Sequence, residues 1–522
     1  MKKDYFCRVL AFLIAMAMMI PAVMSYAAPK DTVRVGISYD PSTVNILEMK
    51  TGIDIPVILT MHEGLMATDR LTGKRILGLA ESIQVMPNPK DIKIRIRKGA
   101  RFHTGEPVTA ADVKWTYQQC MNPQNANVMA GPLDDIESID VIDEQTLVFH
   151  FFEPYAAWQE LMWIGIASKK YYDSVGPEKF RKNPVGSGVF KFVERKVGES
   201  VTMAVDPNYW DVKGLKQTYK ADLPNFKYLK FVTVPDDQSR LAMLETGELD
   251  IVGEILPHQL KSLQKNKRVK IKRIDNVPSL FGIAHKTFAD PIMKDKNFGH
   301  AIMHAINRQE IIDKIFLGEG YPLYMYASKT ELGYDPKIKF EFNPQKAKEY
   351  LKKSSYKPGY PIVLTYTNII PNAPLVAAAI QQYLQNIGIT VKLRQLEGGT
   401  AATYNRNRDP QIGGLLLYSW AGGRDPSLRL LLSTKSTSPY AAYPDRPRKE
   451  EMNALIDAQA RELDVKKRAA MLKKIHEIIL EYTSNTSLYG LNMIYATSDR
   501  VEYNWTPQEA FIFNLQFVKV LK

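Results

Sequence analysis

The 522-residue chain has only two cysteines, Cys7 and Cys120. Cys7 falls in the first 27 residues, which read as a targeting segment, so Cys120 stands alone and no internal disulfide forms. Beyond residue 27 no stretch approaches the roughly 20 uninterrupted apolar residues a membrane-spanning helix needs. The formal net charge is +13, yet basic and acidic residues are mixed throughout. There is no basic arm or aromatic-interleaved basic patch, which argues against nucleic acid as a partner. No nucleophile elbow, zinc motif or acid pair is recognisable. No Met, His or Cys cluster argues for nickel or haem, so neither a metal nor a cofactor is expected. A chain this long buries a large core without disulfides and splits into two or three domains.

At the amino end, Lys2, Lys3 and Arg8 precede an apolar run at 9–23, and Ser25-Tyr26-Ala27 supplies small residues ahead of Ala28. This pattern predicts a cleaved secretory signal peptide over 1–27. Cys7 lies before the apolar run, so it is not the lipidated cysteine of a lipoprotein. Removing the segment leaves a charge of +11, a weak preference for anionic partners or surfaces.

The stretch 184–210, PVGSGVFKFVERKVGESVTMAVDPNYW, organises the rest. A Gly-Ser-Gly turn feeds an alternating run from Val189 to Val193. A second alternating run follows Val197-Gly198-Glu199, and Asp206-Pro207-Asn208 ends it before Tyr209-Trp210. The pattern predicts a β-hairpin with an aromatic anchor. Further on, Ile92, Ile94 and Ile96 alternate with Lys93, Arg95 and Arg97, a strand with one wet face, and Thr109 caps a helix carrying Asp112 in its first turn. A helix ended by Gly247 precedes a strand. An apolar-striped helix is expected over 298–312, a strand–helix–strand unit over 361–393, and two helices over 449–482 divided at Asp464. These alternations imply mixed α/β lobes.

Several strings together resemble one family. G-S-G-V-F-K-F…D-P-N-Y-W, R-K-G-A-R-F-H-T-G-E-P-V-T-A-A-D-V, H-E-G-L, G-L-A-E-S, E-P-Y and G-E-L-D-I are similar to the signatures of the extracytoplasmic solute-binding proteins, family 5, which serve peptide, nickel and opine ABC importers. Ser187 and Asp206 depart mildly from that family's Thr and Asn. The resemblance implies an α/β, two-lobed periplasmic-binding-protein-like fold of the large class, with mixed sheets flanked by helices. Lobe I would comprise 28–75 with 185–285 and 490–522, an extra small domain 76–184, and lobe II 286–489. It further implies a periplasmic monomer, not an enzyme, that closes on a peptide or small-molecule ligand and delivers it to an ABC permease with its ATPase subunits.

By the same resemblance, ligand contacts are expected from Tyr39 and Asp40 after the first strand, and from His62. Phe281 is expected on the strand that crosses between lobes, and Tyr418, Trp420, Gly422, Gly423, Arg424 and Asp425 on the segment LLLYSWAGGRDPS. Peptide-binding relatives hold the peptide amine with an acid shortly after this Trp; here that position falls on Gly423 or Arg424. Dipeptide-binding relatives hold the carboxylate with an Arg before the helix predicted near 375; Leu375 or its neighbours stand there instead. Arg424 suits a carboxylate or phosphate, unless it points to solvent; Asp425 can also cap its own turn. Peptides, acidic small molecules such as opines, and a nickel or haem cargo all remain open as ligands. A ligand-loaded sensor or chaperone, and a secreted hydrolase, are the rival classes. His103 reads as structural, and His300 with His304, one helical turn apart, as packed histidines rather than a metal pair.

Overall fold

The computed structural model describes residues 31–51, 54–69, 74–219, 221–275, 277–367, 370–421, 425–503 and 514–521. The expected signal segment lies outside the described residues.

The chain opens on β1 (Thr32–Ile37), whose Val33, Val35 and Ile37 are buried while Thr32 and Arg34 are not. A short hairpin, β2 (Met66–Thr68) and β3 (Arg75–Leu77), leads to four antiparallel strands: β4 (Ala80–Val85), β5 (Asp91–Ile96), β6 (Ile136–Val141) and β7 (Thr146–Phe151), ordered β4-β5-β7-β6. In β5 the three isoleucines are at most 2 % exposed, while Lys93 and Arg95 face solvent. The helix Ala110–Met121 starts on a capping box: Thr109 and Asp112 satisfy each other's backbone N–H groups, and the Asp112 carboxylate also accepts from Lys169 N.

The hairpin of β8 (Phe190–Lys196) and β9 (Ser200–Val205) follows, turning at Gly198 with φ of +76°. Next come β10 (Tyr228–Thr233), β11 (Ile251–Val252) and β12 (Val269–Ile274). The helix Asp237–Thr246 ends at Gly247 in the left-handed conformation. The chain then leaves this sheet. It builds β13 (Ser279–His285), β14 (Gly320–Pro322), β15 (Pro361–Thr367), β16 (Thr390–Leu396), β17 (Leu415–Ala421) and β18 (Asn485–Leu491), and returns with β19 (Met493–Ser498). One lobe is the seven-stranded sheet β12-β19-β11-β1-β10-β9-β8, the other the six-stranded sheet β14-β18-β13-β17-β15-β16. Both are mixed. β1 runs parallel to β10 and β11, and β15 parallel to β16 and β17.

Asp250 of the G-E-L-D-I string fastens the first lobe. It accepts from Arg34 N at 2.8 Å and from Arg500 at 2.7 and 2.8 Å, joining the first strand to the chain's last segment. In the second lobe, the helix expected over 298–312 is two helices, Lys296–Ala305 and Arg308–Ile315. The apolar stripe continues across the break. Asn307, however, leaves the helical conformation and accepts from Glu310 N at 3.1 Å, capping a new helix. Asp464 likewise caps Val465–Glu481 and divides it from Lys449–Arg461. His300 and His304 stack on Tyr350 at 5.1 and 5.7 Å and are packing groups.

Candidate functional site

Strand direction decides where a solute can sit. In the first sheet β1, β10 and β11 are parallel, so their carboxyl ends emerge at one edge. The antiparallel pairing Ile274↔Met493 places the end of β12 and the start of β19 at that same edge. Both connections to the second sheet therefore leave from there: the link from Ile274 to Ser279 on one side and Asn492 on the other. In the second sheet Ser279 pairs with Ala421, which puts the carboxyl end of β17, and with it those of the parallel β15 and β16, at the edge facing back. Two carboxyl edges joined by two short crossings form a hinged cleft, the position in which open α/β sheets bind ligands.

The first edge presents Ser38, Tyr39, Asp40 and Glu254. Ser38 Oγ donates to Glu254 Oε2 at 2.9 Å. Glu254 is exposed and holds φ of +56°. Burial and the neighbouring Glu254 and Asp54 carboxylates push the Tyr39 phenol well above its ordinary value, so it stays protonated. Asp40 does not point a free carboxylate at a solute: Arg195 of β8 pairs with it at 2.9 Å. Asp54 is spent as well, accepting from Ser42, Lys50 and Thr51.

The second edge presents the end of β17. Ser419 is exposed, while Trp420 is half-buried against the core beneath the helices Ser427–Ser433, Lys449–Arg461 and Val465–Glu481. Tyr418 tucks its hydroxyl inside, edge-on to Tyr326 at 5.8 Å. A Cβ on Gly282 would lie 2.6 Å from that oxygen, so only glycine leaves room for it. Phe281 is 8 % exposed and stacks on Tyr489 at 5.1 Å, inside the core on the sheet's other face. Gly422, Gly423 and Arg424 lie outside the described residues.

Two further residues of the expected set are engaged within the protein. Asp425 is clamped by Arg468 through both oxygens, at 2.5 and 2.7 Å, and accepts from Ser427 N at 2.9 Å. A carboxylate so engaged caps its turn and has its charge neutralised by Arg468. His62 is buried at the end of the helix Ile55–Met61, packed beside Gly165 and Gly186. Its Nδ1 is 3.1 Å from Ile58 O, and burial holds its pKa down to about 4, so it is neutral. His103 also contacts Gly186. Gly186 N donates to its Nδ1 and its Nε2–H donates to Gly188 O at 2.8 Å, fixing the Gly-Ser-Gly turn.

Groups that the sequence did not single out complete the cleft. Arg273 at the end of β12 reaches across to Glu319 in the second lobe, which also accepts from Asn492 at 3.4 Å. Tyr321 donates to Val277 O at 2.8 Å beside the crossing, and Lys329 lies 4.1 Å over its ring. An open groove of roughly 950 Å³ is lined by His258 of the first lobe and by Leu317, Phe342, Asn372 and Leu375 of the second, the last two at the start of the helix Ala373–Asn386. Leu317 and Leu375 are 57 % and 58 % exposed, which marks this groove as an apolar surface without a cover. On the far side of the cleft Ala156 N–H donates to Ala460 O at 2.7 Å, bringing the small domain onto the second lobe. Among the described residues no cluster of His, Cys, Asp and Glu is placed to hold a metal, and no helix is long and apolar enough to cross a membrane.

Two lobes of mixed sheet joined by paired crossings, beside a separate four-stranded sheet, have the architecture of the two-lobed periplasmic binding proteins. The sequence signature of the bacterial extracellular solute-binding proteins, family 5, matches residues 74–440, and the chain belongs to that family. It is 25 % identical over 472 residues to a putative ABC transporter peptide-binding protein of Brucella ovis, covering 87 % of this chain and 86 % of that one. It is 22 % identical over 521 residues to the glutathione-binding protein GsiB of Salmonella choleraesuis, covering 96 % and 97 %. The crystal structure of the ABC transporter substrate-binding protein CtaP of Listeria monocytogenes superposes with a TM-score of 0.83 at 22 % identity, over 94 % of this chain and 99 % of that one.

Proposed function

We propose that this chain is the periplasmic binding component of an ABC importer, released by cleavage of residues 1–27, which closes its lobes on a peptide or peptide-like solute and presents it to a membrane permease. The proposed bodies are lobe I (28–75, 185–285, 490–522), the small domain (76–184) and lobe II (286–489). The observation that carries the reading is the pair of facing carboxyl edges joined, among the described residues, by two crossings. Such a joint turns ligand contact with both edges into closure, because only the closed form satisfies both sets of contacts. A peptide suits the cleft. The exposed leucines of the 950 Å³ groove offer side-chain burial, while Ser38, Glu254 and the backbone at the strand ends offer polar partners. The Brucella and Salmonella relatives, described as peptide- and glutathione-binding, support the same ligand class.

Native mass spectrometry of the protein from its own periplasm, before and after mild unfolding, tests this reading. The expected result is a set of short peptides released on unfolding. A single non-peptide anion would replace the peptide reading with a specialised importer.

A further inference from the structure

We infer that Glu254 is the receptor for the positively charged nitrogen of the solute, placing amine recognition on the first lobe rather than on the loop after β17. The inference rests on the proposed peptide-binding function and names the group of the solute that this site selects.

Counting the anions around the cleft leads there. Asp40 is paired with Arg195, Asp425 with Arg468, Glu319 with Arg273, and the buried Glu331 with Arg429. Asp54 has its backbone and hydroxyl donors. Asp275, which follows β12 at the same edge, faces the Lys329 ammonium. Among the described residues Glu254 alone of these has no cation and no backbone donor; the Ser38 hydroxyl donates to its Oε2, which leaves Oε1 open. Its position is also specific. It follows the carboxyl end of β11, the strand between β1 and the hinge strand β19, so it stands at the edge facing the second lobe. The Tyr39 phenol beside it remains protonated and adds a polar aromatic neighbour.

The backbone gives a second, independent sign. Glu254 holds φ of +56°, a left-handed conformation that a long L side chain adopts only at a cost. The preceding residue is Gly253, so glycine was available one position away. A carboxylate kept in a disfavoured conformation at a cleft edge, with no structural partner that requires its charge, fits a ligand-binding role. A carboxylate brought under a closing lobe gains strength against an ammonium as water leaves, since the local dielectric falls. The same desolvation disfavours a solute that brings no cation to meet it.

The test uses the full mature chain, refolded free of ligand, and two probes: an equimolar tripeptide mixture lacking Lys, Arg and His, and the same mixture N-acetylated. Binding is read by calorimetry for the wild type and for Glu254→Gln, which keeps the shape and removes the charge. The expected result is at least tenfold tighter binding of the free-amine mixture by the wild type. Glu254→Gln should lose that preference while keeping the wild-type melting midpoint without ligand. Equal binding of both mixtures by the wild type, or a preference that survives in Glu254→Gln, overturns the assignment and leaves the peptide reading standing. Binding of neither mixture overturns both.

Discussion

The Trp210 indole N–H donates to Glu63 Oε2 at 2.8 Å from a position 147 residues further along the chain, and the Tyr209 hydroxyl donates to the other oxygen. The aromatic pair that ends the hairpin thus anchors on the Glu of the H-E-G-L string, and two of the recognisable sequence strings turn out to be halves of one contact. Trp210 also donates to Ser187 O at 3.1 Å, closing the circle onto the Gly-Ser-Gly turn. Trp210→Phe removes the indole donor and leaves a buried carboxyl oxygen short of a partner. It should cost about 1–3 kcal/mol, read from the urea midpoint. A change below about 0.5 kcal/mol would show that the contact does not hold the junction.

The same carboxyl predicts a pH dependence. Burial raises Glu63 to about 7, against the hydrogen bonds from Tyr209 and Trp210, which lower it. The folded state therefore holds this proton more firmly than the unfolded chain, whose glutamate titrates near 4.3. The contribution is favourable below that value and is lost as pH rises through about 7. Glu63→Gln abolishes it, so the stability difference between pH 5 and pH 7.5 should shift toward greater relative stability at the higher pH.

Three buried histidines and the half-buried His103 act in the opposite direction. Burial lowers His62 and His103 to about 4, and His285 and His476 to about 3. Unfolded histidine binds its proton near 6.5. Each group's contribution is therefore fully present above that pH and is lost as pH falls toward its folded value. The slope is of order 1 kcal/mol per pH unit per histidine. With Glu63 opposing one of the four, acidification from pH 6.5 to 5 should destabilise the protein steeply. His476, whose ring nitrogens are both buried without a partner, is the position to change. His476→Phe should flatten the slope by about one proton in urea melts across this range.

Inside the second lobe, Arg429 and Glu331 are each 1 % exposed and paired, with the guanidinium 4.4 Å over the Tyr326 ring. Removing one partner strands a buried charge. Arg429→Met or Glu331→Met should each cost about 3–5 kcal/mol, and the double Arg429→Met/Glu331→Met replacement much less than the sum. A double-mutant cycle on denaturation midpoints measures this coupling. Independent, additive losses would contradict the pairing.

Glu254→Gly relieves the left-handed φ at the cleft edge. It should raise ligand-free stability by about 0.5 kcal/mol while weakening capture of the free-amine tripeptide mixture. Stability and binding moving in opposite directions would separate a functional carboxylate from a structural one.

Local chemistry made much of the fold legible. The β8–β9 hairpin and the caps at Thr109, Gly247 and Asp464 depend on residues within a few positions of one another. The break at Asn307 was hidden because the apolar stripe runs unbroken through it. The site was harder to read. Asp40 and Asp425 look like free cleft carboxylates until Arg195, 155 residues away, and Arg468, 43 residues away, are seen to neutralise them. Glu254 carried no signal beyond a Gly-Glu after a strand, since neither a positive φ nor the lack of a cation can be seen in a string of letters.

The measurement that bears most directly on solute capture between the lobes is small-angle X-ray scattering of the refolded, ligand-free chain titrated with the free-amine tripeptide mixture. Closure predicts a fall in the radius of gyration that saturates at one bound peptide per chain, with the Ala156–Ala460 contact formed in the compact state. A radius that stays constant while peptide binds would contradict capture by closure.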